Sequence, residues 1–292
     1  MRALLLHNPK AGDNRVSADD LVRAFADAGY EVRYCDKDDE AGFAAGLAAQ
    51  PDLVAVAGGD GSIGQLLHFH AALTMPVALL PLGTSNNIAR SFGMTTDALS
   101  LIPRLRGAPF RRLDVGIANG PWGYRLFVES VGLGLLAPMM TKRIAADTAA
   151  KAREVVRKML IANVKRARAG RAWLSVDGEV IEDDVLMAEI TAISRVGPAL
   201  PLLDGNSTGD GLIDAVVLRA SDRAAMVAWL KDEDSGMPPV TAYRGRFVSA
   251  RWDGLPLRVD DRRMRKPDSR PAHVFVRLLG AEIDILVPEG EA

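Results

Sequence analysis

The sequence predicts a two-part chain, with an N-terminal α/β domain of βαβ units followed by a strand-rich domain that contains one long helix. In the first third, short apolar runs that end in turn residues alternate with segments of helical period, which is the pattern of βαβ units around a mostly parallel sheet. Beyond about Pro109 most segments have strand character, apart from a helical pattern near residues 139–168. We therefore place a domain boundary near residues 107–109, which gives domains 1–108 and 109–292.

The elements of the first domain follow from local signals. The apolar run Leu4–Leu6 predicts a strand that stops at the Asn-Pro pair after it, since proline cannot continue a ladder. Ser17 predicts the start of a helix, and Gly29 predicts its end. The runs Leu53–Ala57 and Val77–Leu80 predict further strands. The turns after these strands lie at the carboxyl edge of a parallel sheet, where such sheets bind ligands.

In the second domain, two glycine-containing turns predict hairpins. Asn119-Gly120 lies between two strand-like segments, and so does Asp177-Gly178. A shorter helical pattern covers about residues 221–230.

Composition bounds the class of protein. The 292 residues are 48% hydrophobic and 25% charged, as in globular rather than disordered or fibrous chains. The balance of 36 basic and 37 acidic residues argues against a general nucleic-acid binder. The single cysteine, Cys35, excludes an intramolecular disulfide, and no apolar run approaches the ~20 residues of a membrane-spanning helix. We expect a soluble protein of a reducing compartment that does not bind nucleic acid.

Two motif matches in the second domain have plainer explanations. Residues 205–209 fit the G-x-S-x-G elbow of serine hydrolases, but that motif needs a following helix, and residues 212–217 predict a strand. Residues 132–137 fit a dinucleotide fingerprint, yet Pro138 follows and no second parallel strand completes a βαβ unit. We interpret the first as an ordinary turn and the second as a close backbone approach.

The turn of residues 58–62, Gly-Gly-Asp-Gly-Ser, carries more information because it follows a buried strand directly. Its glycines permit backbone conformations and close approaches that other residues do not, and amides at a helix N-terminus suit a phosphate. An aspartate in a phosphate site repels the ligand unless a cation intervenes, so Asp60 predicts Mg²⁺ or a role as a base. Taken alone, the segment fits a tight strand–helix turn equally well.

Six segments together resemble the diacylglycerol kinase catalytic-domain family, which includes sphingosine kinases and bacterial lipid kinases. Besides the glycine turn, they are Asn8–Gly12, Pro81–Arg90, Arg112–Gly116, Val131–Gly134 and Asp210–Asp214. The resemblance covers nearly the whole chain. It implies an N-terminal α/β domain of the type found in NAD kinases and diacylglycerol kinases, a C-terminal β-sandwich-like domain, and ATP bound between the two. As in some members, the C-terminal tail is expected to return to the first domain.

The resemblance also implies roles for single residues. The positions that match its nucleotide-contacting motifs are Asn8, Gly58, Gly59, Asp60, Gly61, Ser62 and Thr84, and Cys35 falls where the family has another nucleotide-lining residue. The structural Mg²⁺ of the family implies a site made by Asp210 and the carbonyls of Ser207 and Leu212. Asp260 matches the proton acceptor for the lipid hydroxyl, so Asp60 and Asp260 are the expected catalytic residues.

The match is weakest around the proton acceptor. The family has Asp-Gly-Glu there, whereas Asp260 is followed by Asp261 and Arg262. Gln65 and Asn87 stand where the family usually has Glu and Asp. Each of these three departures, at Arg262, Gln65 and Asn87, removes a negative charge. Three consequences are therefore open, namely weaker metal binding, a different substrate or lost activity.

The expected function is ATP- and Mg²⁺-dependent phosphorylation of a lipid hydroxyl, on diacylglycerol or a related long-chain alcohol. Two alternatives stay open, a catalytically impaired regulator of the same fold that binds nucleotide or lipid, and a related kinase with a soluble substrate such as NAD.

A basic segment between Lys142 and Arg171 carries ten basic residues against two acidic ones, with an apolar stripe at Val156, Leu160 and Val164. This pattern is typical of a core-facing helix with a charged back, or of a helix that contacts an anionic membrane surface. We expect a cytoplasmic protein that is peripheral at the inner membrane face, and a homodimer is left open.

Overall fold

A computed structural model describes residues 1–14, 16–69, 74–139, 149–204, 208–232, 236–266, 268 and 270–290. The chain divides into two compact units, one formed by Met1–Asp114 with Ala281–Ala292, the other by Val115–Gly280. The division falls inside a strand, Phe110–Gly120, a few residues beyond the turn at 107–109. The predicted class, an α/β N-terminal part followed by a strand-rich part with a long helix, is confirmed.

The N-terminal unit alternates strands and helices along the chain. Its strands are β1 (Arg2–His7), β2 (Glu31–Asp36), β3 (Leu53–Gly58) and β4 (Val77–Pro81). Its α-helices are α1 (Ala18–Asp27), α2 (Glu40–Ala48), α3 (Asp60–Gln65), α4 (Asn87–Ser91) and α5 (Ala98–Leu101). Short 3-10 turns cover Ala11–Asn14, Leu66–His68 and Ile102–Arg104.

The strands of this unit form a parallel sheet. β1 pairs with β2 on one side and with β3 on the other, and β3 pairs with β4. Next to β4 the sheet is extended by the end of the last strand of the chain, where Ile285 pairs with Val77 and Leu286 with Ala78. Every residue of β3 is buried, as expected for a central strand covered on both faces.

Local signals set the helix ends where the sequence predicts them. Ser17 caps α1, because its hydroxyl accepts from the Asp20 N–H while the Asp20 carboxylate accepts from the Ser17 N–H. Gly29, with φ +77°, follows the end of this helix and donates to the Ala26 carbonyl.

The C-terminal unit is rich in strands. They are β5 (Phe110–Gly120), β6 (Gly123–Phe127), β7 (Ser130–Gly134), β8 (Gly170–Val176), β9 (Glu179–Thr191), β10 (Arg195–Val196), β11 (Leu200–Pro201), β12 (Ile213–Arg219), β13 (Thr241–Gly245), β14 (Phe247–Trp252), β15 (Leu257–Val259), β16 (Arg262–Arg263) and β17 (Ala272–Leu286). Its α-helices are α6 (Ala149–Arg166) and α7 (Arg223–Trp229), the latter preceded by a 3-10 turn at Ala220–Asp222.

β9 is the organising strand of this unit. It pairs antiparallel with β8 along its first half, with β7 along its second half, and with β12. Both predicted hairpins are present. β5 and β6 meet at Gly120 and Gly123, and β8 turns into β9 through Asp177-Gly178, where both residues have positive φ as in a type I′ turn.

The long helix α6 packs its apolar stripe inward. Val156, Leu160 and Val164 are buried in a cluster with strand residues such as Met187 and with Met226 of α7. The core-facing interpretation of the stripe is therefore the one that the structure shows. Residues 140–148, which include Lys142, Arg143 and Asp147 of the basic segment, lie outside the described residues.

The structure agrees with the two interpretations given above, that residues 205–209 are not a hydrolase elbow and that residues 132–137 are not a dinucleotide fingerprint. The strand β12, rather than a helix, follows residues 205–209, of which 205–207 lie outside the described residues. Gly132 lies in β7, and a Cβ there would stand 2.3 Å from a carboxylate oxygen of Glu189, so the glycine makes room for that side chain. In the described part of the chain, no helix has both the length and the apolar character needed to cross a bilayer.

The returning C-terminal strand contributes buried side chains to the N-terminal unit, so it should stabilise that unit measurably. Ile285 is fully buried, whereas its neighbour Asp284 is exposed. We expect Ile285→Ala to lower the free energy of unfolding by about 2–5 kcal/mol in urea denaturation, and Asp284→Ala to change it by under about 0.5 kcal/mol. Equal effects of the two substitutions would contradict the pairing of this strand with β4.

Candidate functional site

The carboxyl ends of β1 and β3 form the switch point of the N-terminal sheet. The chain leaves β1 for β2 on one side of the sheet and leaves β3 for β4 on the other, so the connections diverge between these two strands. Open α/β sheets bind ligands in the crevice at such a point. The loops that border it are residues 8–12 after β1 and the turn after β3, which passes through Gly59 into the first residues of α3.

Backbone contacts join these two loops to the loop after β4. The Asn8 N–H donates to the Ala57 carbonyl (2.9 Å), and the Leu82 N–H donates to the Gly58 carbonyl (2.9 Å). Gly12 has φ +63°, and a Cβ on it would stand 2.6 Å from the Leu82 carbonyl oxygen. Three loops that are far apart in sequence are therefore held as one surface.

The glycines of this surface are needed for the loops to pack. A Cβ on Gly59 would stand 3.2 Å from the Gly83 Cα, and a Cβ on Gly83 would stand 2.7 Å from the Gly59 Cα. A Cβ on Gly58 would stand 2.2 Å from the Ser62 hydroxyl. Gly58 and Gly83 leave no room for a Cβ whether or not a ligand is bound, and at Gly59 a Cβ would make a tight contact.

Asp60 bridges two of the loops through its carboxylate. One oxygen accepts from the Asn87 N–H and the other from the Ile88 N–H, both at 2.9 Å. These are first-turn amides of α4, so Asp60 of the β3 loop caps a helix that follows β4.

The carboxyl edge of the N-terminal sheet brings together most of the residues that are predicted to contact the nucleotide. Asn8, Gly59 and Asp60 are half-buried, Gly61 and Thr84 are exposed, and Ser62 is buried beneath them beside Gly58. The exposed Gly61 at the start of α3 and the exposed Thr84 fit the phosphates of ATP. Cys35 is different, because its side chain is 3% exposed within β2 and burial raises the pKa of its thiol. Its predicted contact with nucleotide stays a prediction.

In the C-terminal unit, Asp260 follows β15 in a left-handed turn with φ +49°. Its carboxylate accepts three consecutive backbone N–H groups, those of Val128 (3.2 Å), Glu129 (2.9 Å) and Ser130 (3.1 Å). The Asp260 N–H in turn donates to the Ser130 carbonyl (2.8 Å). The side chain is thus fixed by the turn between β6 and β7.

The proton affinity of Asp260 is unusual for an aspartate. Burial and, to a smaller extent, the nearby Glu129 carboxylate raise the pKa of its carboxyl to about 7, against the lowering effect of the three backbone hydrogen bonds. A carboxylate with a pKa near the working pH is suited to accept a proton.

The predicted metal residues do not form a complete site in the described residues. The Asp210 carboxylate pairs with the Arg244 guanidinium and accepts from the Leu212 N–H (3.0 Å), and Ser207 lies outside the described residues. Within the described ranges no group of three or more His, Cys, Asp or Glu side chains is placed to hold a metal. Arg244 supplies the positive charge that a metal would bring, so we derive no step through a metal at Asp210.

Sequence reasoning missed a buried charged group beside Asp260, made by Arg258, Glu129 and Glu189. All three side chains are at most 4% exposed. The available signal was a charged residue inside an otherwise apolar strand pattern, as for Glu189 between Ala188 and Ile190.

Comparison with known proteins agrees with this arrangement. Residues 2–118 match the family model of the diacylglycerol kinase catalytic domain. The predicted resemblance is confirmed.

Two curated relatives extend the similarity into the C-terminal unit. The diacylglycerol kinase of Bacillus subtilis (strain 168) is 23% identical over 240 residues, which are 77% of this chain and 76% of that protein. A Pseudomonas putida protein named "Probable lipid kinase YegS-like" is 26% identical over 251 residues, or 80% of this chain and 79% of that protein.

Solved structures share the fold over the full length. A diacylglycerol kinase from Bacillus anthracis str. Sterne has a TM-score of 0.68 at 17% identity and covers 100% of this chain and 98% of its own. An NAD kinase from Archaeoglobus fulgidus in complex with ATP has a TM-score of 0.53 at 12% identity, covering 100% of this chain and 95% of its own. At these identities the likeness shows the fold alone.

The departures from the diacylglycerol kinase family pattern have local explanations. The Gln65 amide donates to the Lys37 carbonyl (2.7 Å), a bond that a glutamate cannot make. The Asn87 backbone N–H donates to Asp60, and its side chain is buried. Arg262 is exposed on β16, where it pairs with Val259 of β15.

The bridging role of Asp60 can be measured as stability. In Asp60→Asn one acceptor oxygen becomes an NH₂ group, so one α4 amide loses its partner, and we expect unfolding to become easier by about 1–3 kcal/mol. Asp97 is the matched control, because a single oxygen of its carboxylate accepts from both Leu99 and Ser100. Asp97→Asn keeps that oxygen and should cost less than Asp60→Asn in urea denaturation. A larger loss for Asp97→Asn would contradict the bridge.

Proposed function

We propose that the protein is an ATP- and Mg²⁺-dependent kinase that phosphorylates the hydroxyl of diacylglycerol or a related long-chain alcohol. The observation that carries the proposal is the position of the glycine turn, at the switch point of the sheet and inside the segment that matches the diacylglycerol kinase catalytic domain. The relatives named diacylglycerol kinase and lipid kinase support a lipid as acceptor.

The N-terminal unit supplies what phosphoryl transfer needs most, which is positioning and charge neutralisation. Exposed amides at the start of α3 would bind phosphate oxygens, and the exposed Lys10 lies on the neighbouring loop. Mg²⁺ bound with the nucleotide would neutralise phosphate charge, and Asp60 is the carboxylate of this edge that fits it. The Thr84 hydroxyl is exposed in the loop after β4 and would contact the nucleotide.

Asp260 would accept the proton of the attacking hydroxyl. Its carboxylate is held by three amides, so it cannot turn away, and its pKa of about 7 lets it take a proton near neutral pH. The proton would move from the lipid oxygen to a carboxylate oxygen of Asp260 as that lipid oxygen bonds to the γ-phosphorus of ATP. The bond from this phosphorus to the β,γ-bridging oxygen would break in the same step, and ADP would leave.

A lipid substrate is also supported by a cavity of about 550 Å³ within the C-terminal unit. Its apolar lining includes Leu135, Leu186 and Leu255, and Arg166 and Arg168 lie at its border. The volume is typical of small-molecule sites, and an apolar lining with cations beside it fits an acyl chain attached to a polar head.

Membrane contact, if it occurs through α6, depends on charge. Because the apolar stripe of α6 is buried, the exposed cations Lys151, Lys165 and Arg166 are what this helix presents to a lipid surface. We propose a peripheral protein attracted by anionic lipid at the inner membrane face.

Radiolabelled ATP, incubated with mixed micelles of single lipids and separately with NAD, tests the proposal against its alternatives. Transfer to diacylglycerol or another long-chain alcohol supports it. Transfer to NAD alone would establish the soluble-substrate kinase. Nucleotide or lipid binding without any transfer would establish the regulator.

Asp260→Asn separates chemistry from folding. Asparagine keeps an oxygen for the Glu129 and Ser130 amides, but it cannot accept the proton, so we expect kcat to fall about 10²–10⁴-fold. Folding raises this pKa from 3.8 to about 7, so the ionised carboxyl lowers stability as the pH rises through that window. At pH above about 7 the variant should therefore be as stable as the wild type or more stable in thermal unfolding. An unchanged kcat would remove Asp260 from the mechanism.

Liposome sedimentation tests the membrane proposal. The double variant Lys151→Gln/Lys165→Gln should bind anionic vesicles more weakly, by about five-fold per charge removed, since each cation near the surface contributes about 1 kcal/mol. Lys231→Gln, an exposed cation outside α6, is the control and should bind as the wild type does. Binding that ignores salt and anionic lipid content would contradict the proposal.

A further inference from the structure

A fully buried arginine lies two residues before Asp260. Arg258, in β15, is 0% exposed, and its guanidinium donates in three directions. One nitrogen donates to the Glu189 carboxylate (2.9 Å) and to the Ser130 hydroxyl (2.8 Å), and another donates to the backbone carbonyl of Asp260 (2.7 Å). The latter nitrogen also lies 3.5 Å from the Glu129 carboxylate.

The two glutamates of this group are held as firmly as the arginine. The Glu129 carboxylate accepts from the Gly197 N–H (2.7 Å), and its backbone carbonyl accepts from the Thr191 hydroxyl (2.9 Å). Glu189 occupies space that exists only because Gly132 has no side chain. We call Arg258, Glu129 and Glu189 the buried triad.

The buried triad and Asp260 share their anchoring residues. The amides of Glu129 and Ser130 hold the Asp260 carboxylate, while the side chains of the same two residues contact Arg258. Arg258 also binds the carbonyl of Asp260, whose left-handed backbone is unfavourable for a residue other than glycine. Moving Arg258 would therefore disturb both the turn and the amides that grip the carboxylate.

We propose that Arg258, Glu129 and Glu189 are positioning residues for Asp260, with Arg258 fixing the turn that presents its carboxylate and Glu129 making that carboxylate a stronger base. Assigning this purpose to the buried triad rests on the proposed function, in which Asp260 accepts the proton of the lipid hydroxyl. The physical claim, that these side chains set the conformation and basicity of Asp260, is measurable without any kinase assay.

The charges around Asp260 give the direction of each effect. Within the described residues, the charged groups that face the Asp260 turn are Glu129 from the turn after β6, Glu189 from β9, Arg258 from β15 and Asp261 beside it. Two buried carboxyls, those of Glu129 and Glu189, lie beside the guanidinium together with the half-buried Asp260, and burial raises the pKa of Glu189 to about 7 as well. Removing the Glu129 charge should lower the pKa of Asp260, because a like charge is lost.

Carbon-13 NMR titration of aspartate carboxyls in the full chain is the direct test. Subtracting the Asp260→Asn spectrum identifies the Asp260 signal. In Glu129→Gln its midpoint should move to lower pH by about 1 unit or more. Glu182→Gln, an exposed position on β9, is the matched control and should leave the midpoint in place. A midpoint in Glu129→Gln that stays at the wild-type value overturns the proposal.

Kinase assays add a readout that a merely structural role would not move. The acidic limb of the kcat/KM profile should shift to lower pH in Glu129→Gln and stay in place in Glu182→Gln. Arg258→Lys keeps the charge but cannot bind Glu189, Ser130 and the Asp260 carbonyl together, so kcat should fall at least about ten-fold while KM for ATP is unchanged. An Arg258→Lys variant with the wild-type kcat would overturn the role of the arginine.

The outcomes keep the two proposals apart. If the wild type phosphorylates no acceptor, the proposed function fails, and the NMR midpoints still decide whether the buried triad sets the basicity of Asp260. If the wild type is active and the Glu129→Gln midpoint and acidic limb are both unchanged, the function stands and the buried triad has no positioning role. If Arg258→Lys does not fold, the comparison of Glu129→Gln with Glu182→Gln decides whether the buried triad has a positioning role.

Discussion

The N-terminal site depends on one carboxylate that spans two loops. Asp60 takes the first amides of α4, and this bond draws the loop after β4 against the loop after β3. In this arrangement the loop after β3 and the loop after β4 touch at Gly59 and Gly83, where an added Cβ would push the two loops apart. The exposed amides and the Thr84 hydroxyl of the edge owe their placement to this bridge.

This interaction changes how the glycine turn should be understood. Glycines beside a phosphate site are often explained by the approach of the ligand, but Gly58 and Gly83 are already required by contacts within the protein. The turn is therefore preorganised, and a nucleotide would not have to order it on binding. Asp60 likewise has a structural role whether or not it also meets a cation. Loss of activity on changing Asp60 is evidence about the chemistry only when stability has been measured as well.

Features set by neighbours in the sequence could be predicted, and features set by distant strands could not. The cap at Ser17 and the turn at Asp177-Gly178 depend on a few adjacent residues and appear where the sequence places them. The hairpin predicted at Asn119-Gly120 is present, but its turn lies two residues later, at residues 121–122. The buried triad brings together residues 129, 189 and 258, which only the pairing of β7 with β9 and β15 makes neighbours. The burial of Cys35 and the direction in which α6 faces are tertiary facts of the same kind.

The energetics of the C-terminal unit bear on whether turnover was lost. Burying a guanidinium with two carboxylates is costly, and replacing such a group by apolar residues of similar volume is often neutral or stabilising. Stability alone therefore gives no reason for Arg258, Glu129 and Glu189 to be charged. A role in positioning Asp260 does give a reason for these charges, because residues of the buried triad bind the Asp260 backbone and its carboxylate. The departures from the diacylglycerol kinase family pattern lie at Gln65 and Asn87 in the N-terminal unit and at the exposed Arg262, two residues after Asp260. The groups that hold the Asp260 carboxylate are backbone amides of residues 128–130, so none of these three side-chain changes removes them.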